Sequence, residues 1–380
     1  MTMVTSNQSV PKSPLSFREI VRIIEDDDIA KLSTCLDDGS IADVNMKSGD
    51  NYCHSTLLIM ASCHGNINSV RLLLKYGATV NDLNDDNITA IDYACHAGHL
   101  DVIKLLHNEG ANLDSQLLLW ETCESGELEA VEFLLDHGVG VKINLEIEHC
   151  GTPLAQACKE RNLEIIELLV EHGADVNFVG RFVLSNPLAA ACSVGDLDLV
   201  KYLVSVGADA RIGAPLASIE GNNVELINYL LDNGADIDAF DRESNPLLQA
   251  ADYDLVENVR VLLERGANAN IQEISEGKVT PLILACAKRS RNPIIKSLLD
   301  HGADTNAVDS EGDSALIRLL KTSTPATAEG DLECVRLLLE YGADVIWANQ
   351  AGQTASSLVE KGSAIGTLVD ELLASKPFLK

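Results

Sequence analysis

Aromatic side chains are scarce. Phe, Trp and Tyr together make up 4% of the 380 residues, although 46% of the chain is hydrophobic. A core without rings must be assembled from Leu, Ile, Val, Ala and Cys, which suit short helices in close contact. Basic residues are also few, 28 against 58 acidic ones, for a formal charge of -30. Such a surface repels phosphate, which argues against nucleic acid and anionic membrane as partners. Two readings of the acidity remain open: it keeps a long molecule soluble, or it favours a protein partner with a basic stretch. No run approaches the ~20 apolar residues of a membrane span. The opening MTMVTSNQSVPKSPLS lacks the apolar stretch of a secretory signal, and residues 1–16 read as a disordered lead. The signatures GxSxG, GxxxxGK[ST], HExxH and GxGxxG are all missing, so no catalytic or cofactor site is expected. Cys53-His54 and Cys63-His64 lack CxxC spacing and four convergent ligands, so no metal site is expected either.

What the chain has is repetition. The phrase LLKYGATV returns as LLVEHGADV, LLDNGADI, LLERGANA, LLDHGADT and LLEYGADV, among others. Its glycines are Gly77, Gly110, Gly138, Gly173, Gly207, Gly234, Gly266, Gly302 and Gly342, spaced around a period of ~33 residues. A second phrase precedes most of them: TPLAQAC at Thr152, NPLAAAC at Asn186, NPLLQAA at Asn245 and TPLILAC at Thr280, with weaker copies from Thr56, Thr89, Ala214 and Ser314. Thr or Asn caps a helix start, and Pro fits the first helical position, where its missing N–H costs nothing. A second helix with apolar residues such as Val70, Leu72, Leu73 and Leu74 follows, and Gly then ends it in the left-handed conformation.

Together, T-P-L and the later G-A-D-x-N phrase (Gly173–Asn177, Gly302–Asn306) resemble the ankyrin repeat family over about nine-tenths of the chain. The resemblance implies an all-α solenoid, each repeat a helix-turn-helix with a β-hairpin finger. Nine repeats over residues 51–353 are expected between an N-terminal capping repeat at 17–50 and a C-terminal one at 354–380. The first cap is read as helices near 17–25 and 29–36, the last as helices near 354–360 and 365–374. Three departures stand out. The finger between Asp114 and Leu117 is almost deleted, the sixth repeat (APLASIEGNN) is shortened, and residues 321–329 insert a Thr- and Pro-rich loop.

Five of the ten cysteines, Cys95, Cys123, Cys158, Cys192 and Cys286, fall six residues after the cap position. That place calls for a small buried side chain. Equivalent positions in adjacent repeats lie about one helix diameter apart, roughly 10 Å, beyond the ~7 Å Cα separation a disulfide allows. Buried free thiols point to a reducing compartment, the cytoplasm or the nucleus.

The resemblance implies a non-enzymatic scaffold or adaptor that binds another protein, a peptide or a folded domain, along a concave groove of fingers and inner-helix ends. The chain is expected to be monomeric. The alternative is a regulatory or substrate-receptor subunit of an enzyme complex such as a ubiquitin ligase, although no docking box is recognisable after the last cap, where only SKPFLK remains. Candidate partner-binding residues are Tyr52, Arg181 and Phe182 in the fingers. His64, His96, Glu124, Lys159, Tyr253 and Lys288 occupy the inner-helix ends. Trp120 stands where the family usually has His, and it either anchors a partner or fills the gap left by the short finger. Asp85, Asp86, Glu124 and Glu148 make the front acidic, while Lys278, Lys288, Arg289 and Arg291 form a basic spot. The resemblance also makes Asn177 and Asn306 candidate substrates of an asparaginyl hydroxylase if the source is an animal. The other reading of these residues is that they brace the hairpin through backbone hydrogen bonds.

Overall fold

The structure, a computed structural model, describes residues 14–49, 52–148, 150–182, 185–212, 216, 219, 221–240, 245–273, 277–288, 292–323, 328–360 and 362–375. Most of the 1–16 lead and the last five residues lie outside the described set. The chain divides into two compact units, Met1–Asp175 and Val176–Lys380, each built from helix-turn-helix pairs.

In the first unit the pairs are α1 (Phe17–Glu25) with α2 (Ile29–Asp37), α3 (Leu57–Cys63) with α4 (Ile67–Lys75), and α5 (Ala90–His96) with α6 (Leu100–Asn108). They continue with α7 (Leu118–Ser125) and α8 (Leu128–Asp136), then α9 (Pro153–Lys159) and α10 (Leu163–Glu171). The first helices pack on one another in the order α1, α3, α5, α7, α9, forming an inner layer. The second helices pack as an outer layer, α2, α4, α6, α8, α10.

The second unit begins with α11 (Pro187–Ser193) and α12 (Leu197–Ser205), followed by α13 (Val224–Asp232). The shortened sixth repeat before α13 lies mostly outside the described residues, but Leu216 and Ile219 within it are buried. The remaining pairs are α14 (Pro246–Asp252) with α15 (Val256–Glu264), α16 (Pro281–Ala287) with α17 (Asn292–Asp300), α18 (Ala315–Thr322) with α19 (Ala328–Glu340), and α20 (Ala355–Leu358) with α21 (Ala364–Ser375). Here α14, α16, α18 and α20 form the inner layer, and α13, α15, α17, α19 and α21 the outer.

Local chemistry explains the inner helices. Thr56, Thr89, Thr152, Asn186, Thr280 and Ser314 each accept a hydrogen bond from the backbone N–H three residues on, at 2.9–3.4 Å. Pro153, Pro187, Pro246 and Pro281 occupy the first turn behind such caps. The helix bodies are small and fully enclosed: Ala155, Ala157 and Cys158 in α9 and Ala189, Ala190, Ala191 and Cys192 in α11 are all 0% exposed. In the outer helix α4, Val70 and Leu73 are buried at helical spacing, while Leu72 and Leu74 remain half-exposed. Gly65 joins α3 to α4 at φ 70°, and a Cβ there would lie 2.7 Å from the His99 ring, so both backbone and space require glycine.

Within each unit, two ladders of polar side chains tie neighbouring repeats together. In the fingers, Asn45, Asn81, Asn144, Asn177, Asn270 and Asn306 each donate through Nδ2 to the carbonyl of the helix-ending Gly one repeat ahead. Their Oδ1 atoms accept from the backbone N–H two residues beyond that Gly, at 2.6–2.8 Å. At the opposite ends of the helices, Asn66, His99, Asn162, Asn223 and Asn258 donate back to the helix-to-helix turn of the preceding repeat. Both ladders satisfy helix-end carbonyls that the helices leave unpaired.

Three segments show how the expected elements are realised. Among the described residues, β pairing in the fingers is limited to the isolated bridges Lys47–Thr56, Ile147–Gly151 and Val308–Ser314. Other described fingers also fold back on themselves, Asn84 N–H donating to the Ile88 carbonyl and Asn349 N–H to the Gln353 carbonyl around turns braced by the same Asn side chains. The two ends of the 321–329 insertion are helical, with α18 running to Thr322 and α19 starting at Ala328; residues 324–327 are not among those described. Glu329 and Asp331 suit the positive N-terminal turn of α19, and Ser323 donates to Asp331 at 2.7 Å. At the short finger, Leu117 gives α7 no side-chain cap. Instead Lys142 donates to the carbonyls of Leu113 and Ser115 at 3.2 and 3.0 Å, supporting the truncated segment.

Candidate protein-binding surface

In the first unit the ends of the inner helices present unlike side chains in succession. His64, at the end of α3, donates through Nδ1 to the Met60 carbonyl at 2.7 Å and directs Nε2 toward Glu25 at 3.6 Å. A carbonyl only accepts, so this bond fixes the proton on Nδ1. His96 and Glu124, at the ends of α5 and α7, approach to 3.6 Å, His96 exposed and Glu124 half-buried. Lys159 ends α9 and donates to the Cys150 carbonyl at 3.1 Å; burial lowers its pKa, against the fields of Cys150, Glu160 and Glu124. His96, Glu124 and Lys159 therefore share one electrostatic neighbourhood. Tyr52 lies apart, its ring tilted against Phe17 at 6.1 Å. Of the acidic front, Asp85 is engaged by His54, and Asp86 accepts from the Cys53 thiol, which raises that thiol's pKa.

Deeper in the same layer lies a feature the sequence did not disclose. Asp92, in the first turn of α5, is 3% exposed. Its Oδ2 accepts from the Thr89 backbone and hydroxyl, but Oδ1 is buried without a partner. Glu121 on α7 has Oε2 in the same condition, and so does the indole N–H of Trp120 beside it. Burial, reinforced by the charges of Asp92 and Glu124, pushes the Glu121 carboxyl up to about 7. Trp120 is half-buried, and its polar atom lacks the bond that a settled packing role would provide.

In the second unit, Tyr253 caps α14 and is 66% exposed, a large apolar group left in water. Lys288, just past α16, pairs with Asp252 at 2.8 Å, so the basic spot is partly neutralised within the layer; Arg289 and Arg291 are outside the described residues. Arg181 is exposed and Phe182 half-buried in the segment before α11. Trp347 donates its indole N–H to the Gly312 carbonyl at 2.8 Å, a packing role between neighbouring fingers. A charged cluster missed in the sequence anchors the same place. Arg318 binds Asp309, Lys321 binds Asp313 at 2.6 Å, and Asn349 donates to Asp313 at 2.7 Å.

The two candidate hydroxylation sites belong to the finger ladder. Asn177 spans Gly207 and Asp209, and Asn306 spans Gly342 and Asp344, so each braces the following repeat and not merely its own turn. Of the remaining histidines, His137, His172 and His301 donate Nδ1–H to the carbonyl four residues back at 2.7–2.8 Å, capping outer helices. The five register cysteines are buried, and burial raises the thiols of Cys95, Cys123 and Cys158 far above the usual range. This leaves them protonated and unreactive.

A family model for ankyrin repeats (three copies) matches residues 25–117, 114–180, 188–273 and 269–349. The chain belongs to the ankyrin repeat family. Ankyrin repeats bind other proteins and are in general non-enzymatic interaction modules. The chain is similar to the ankyrin repeat, SAM and basic leucine zipper domain-containing protein 1 of Dasypus novemcinctus, 39% identical over 127 residues, 32% of this chain and 25% of that protein. It is 38% identical over 102 residues to the ankyrin repeat and SOCS box protein 6 of Homo sapiens, 27% of this chain and 24% of that one. It also matches the E3 ubiquitin-protein ligase KEG of Arabidopsis thaliana, 34% over 138 residues, 36% of this chain and 8% of the ligase. It thus spans a quarter or less of these relatives. The human ASB11 ankyrin repeat domain shares the fold, with a TM-score of 0.51 at 23% identity over 57% of this chain and 98% of that domain. No helix among the described residues is long and apolar enough to cross a membrane.

Proposed function

We propose that the chain is a non-enzymatic scaffold that holds a partner protein against its fingers and inner-helix ends. One observation carries the reading. A framework whose polar groups are spent on repeat-to-repeat bonds presents Tyr253 in water, and His96, Glu124 and Lys159 clustered at inner-helix ends. Ordered repeats with unlike exposed side chains at equivalent positions make a surface for recognition, with little shape change needed. Against an enzyme, the histidine Nδ1 atoms of His64, His137, His172 and His301 are committed to carbonyls, and the register thiols are held protonated. The charge of -30 supports a partner with a basic segment and argues against nucleic acid or anionic membrane. A monomer in the cytoplasm or nucleus fits ten free cysteines.

Trp120→Ala, Tyr253→Ala and Lys159→Ala, compared with the parent chain in quantitative affinity capture, test the reading. The named residues should lose the same protein; capture of the same set by all four chains would remove the assignment. A second reading is a substrate-receptor subunit of a ubiquitin ligase. The similarity to proteins named for a SOCS box and for E3 ligase activity favours it. Ligase subunits recovered independently of these substitutions would support it.

A further inference from the structure

The inner layer of the first unit contains polar atoms that the fold itself does not use. Asp92 Oδ1 and Glu121 Oε2 are acceptors on adjacent helices, α5 and α7, and the Trp120 indole N–H is a donor on the same turn as Glu121. All three are buried without a partner, and buried polar atoms are ordinarily paired. Asp92 and Glu121 lie within each other's field, and the charges acting on Glu121, those of Asp92 and Glu124, are both negative. Glu124 itself lies 3.6 Å from the His96 ring on α5 and within the field of Lys159 on α9, so these groups serve Glu124. A water molecule would satisfy single bonds and leave two like charges side by side. A cation with several donors would satisfy both acceptors and cancel the repulsion. The guanidinium is such a group: planar, with five donors, able to bridge two carboxylates and to stack on an indole face.

We propose that the seam between α5 and α7 receives an arginine side chain of a partner protein, its guanidinium on Asp92 and Glu121 and a neighbouring backbone carbonyl on the Trp120 indole N–H. The proposal rests on the scaffold reading and specifies what this part of the surface recognises. Glu121 and Trp120 are half-buried and change rotamer to admit the group, a common adjustment at interfaces. In the free chain a proton on Glu121 relieves the repulsion from Asp92. In the complex the arginine does so, and the proton leaves to solvent.

The test is peptide selection from a random dodecamer phage library at pH 7.5. The targets are the full chain and its Asp92→Asn/Glu121→Gln variant, both verified as helical by circular dichroism. The parent chain should enrich peptides with a fixed arginine, and the double variant should not. Binding of a selected peptide is then followed by Trp120 fluorescence in a Trp347→Phe chain. It should weaken roughly tenfold per pH unit below about 7 and level off above, because one proton must leave. Glu121→Gln should flatten that profile, while His96→Gln should preserve it. Arginine-free peptides, equal binding by the double variant, or no enrichment on either target would overturn the proposal. Arginine-free peptides that lose affinity in Lys159→Ala would leave the scaffold reading intact while sinking this one. No enrichment, together with identical protein capture by the alanine variants, would remove both.

Discussion

Glu121→Gln is expected to stabilise the protein at alkaline pH and to have almost no effect in mild acid. The Glu121 carboxyl is raised from 4.5 to about 7 by burial and by Asp92 and Glu124. A folded-state pKa above the unfolded one means that the folded chain holds the proton more tightly between those values. Stability associated with Glu121 is therefore fully present below pH 4.5 and lost as pH rises through 7. The full shift would correspond to about 3.4 kcal/mol at 1.36 kcal/mol per unit, and solvent screening of this half-buried group reduces it to about 1–2 kcal/mol. Glutamine keeps the size of the side chain and removes the charge. Urea denaturation of a Trp347→Phe chain, with Trp120 as the reporter for the first unit, measures the difference between parent and variant from pH 4.5 to pH 8. The gap should open as pH rises and close near pH 4.5. A constant gap, or one that widens in acid, would refute the assignment of a strained, buried carboxylate.

Three further outcomes follow from the polar framework. Asn258, 2% exposed, donates to the Gly221 carbonyl and accepts from the Asn223 N–H, so Asn258→Ala should destabilise the second unit by about 2–3 kcal/mol in urea titration, and a loss under ~0.5 would contradict the ladder. Asp313, 0% exposed, joins Lys321 to Asn349, and Asp313→Ala, which removes both bonds and leaves Lys321 to Glu311 alone, should cost about 1–3 kcal/mol, more than Asn349→Ala in the same assay. An asparaginyl hydroxylase acting on Asn177 or Asn306 must first open both ladder bonds, so mass spectrometry should find faster modification as urea loosens the chain, and equal rates in folded and unfolded chain would argue against the clamp.

Much of the architecture was legible because its signals are local. A Thr or Asn cap, a Pro behind it, a small-residue helix and a terminating Gly each act within a few residues. α1 was read at its observed bounds, and α2 to within one residue. The start of α19 at Ala328 was hidden by Thr and Pro upstream, which read as loop, although Glu329 and Asp331 were available as N-terminal helix signals. The ladders were only half legible: Asn in G-A-D-x-N could be read as a brace, but its partner lies about thirty residues away. The Asp92–Glu121 pair could not be read at all. Both residues sit near the start of an inner helix, where polar side chains are commonplace, and only the packing of α7 against α5 encloses them. Trp120 was noticed as an anomaly, yet the question of anchor or filler turns on a single indole N–H whose burial the sequence does not express.

The central claim is that a protein partner lies across the fingers and inner-helix ends. Hydrogen–deuterium exchange of the full chain, alone and with a partner recovered by affinity capture, tests it most directly. Slower exchange should be confined to the ends of inner helices, at residues 94–97, 122–125, 157–160 and 250–253, and to the fingers beside them. Protection restricted to the outer helices, at residues 67–75, 100–108 and 128–136, would contradict the account.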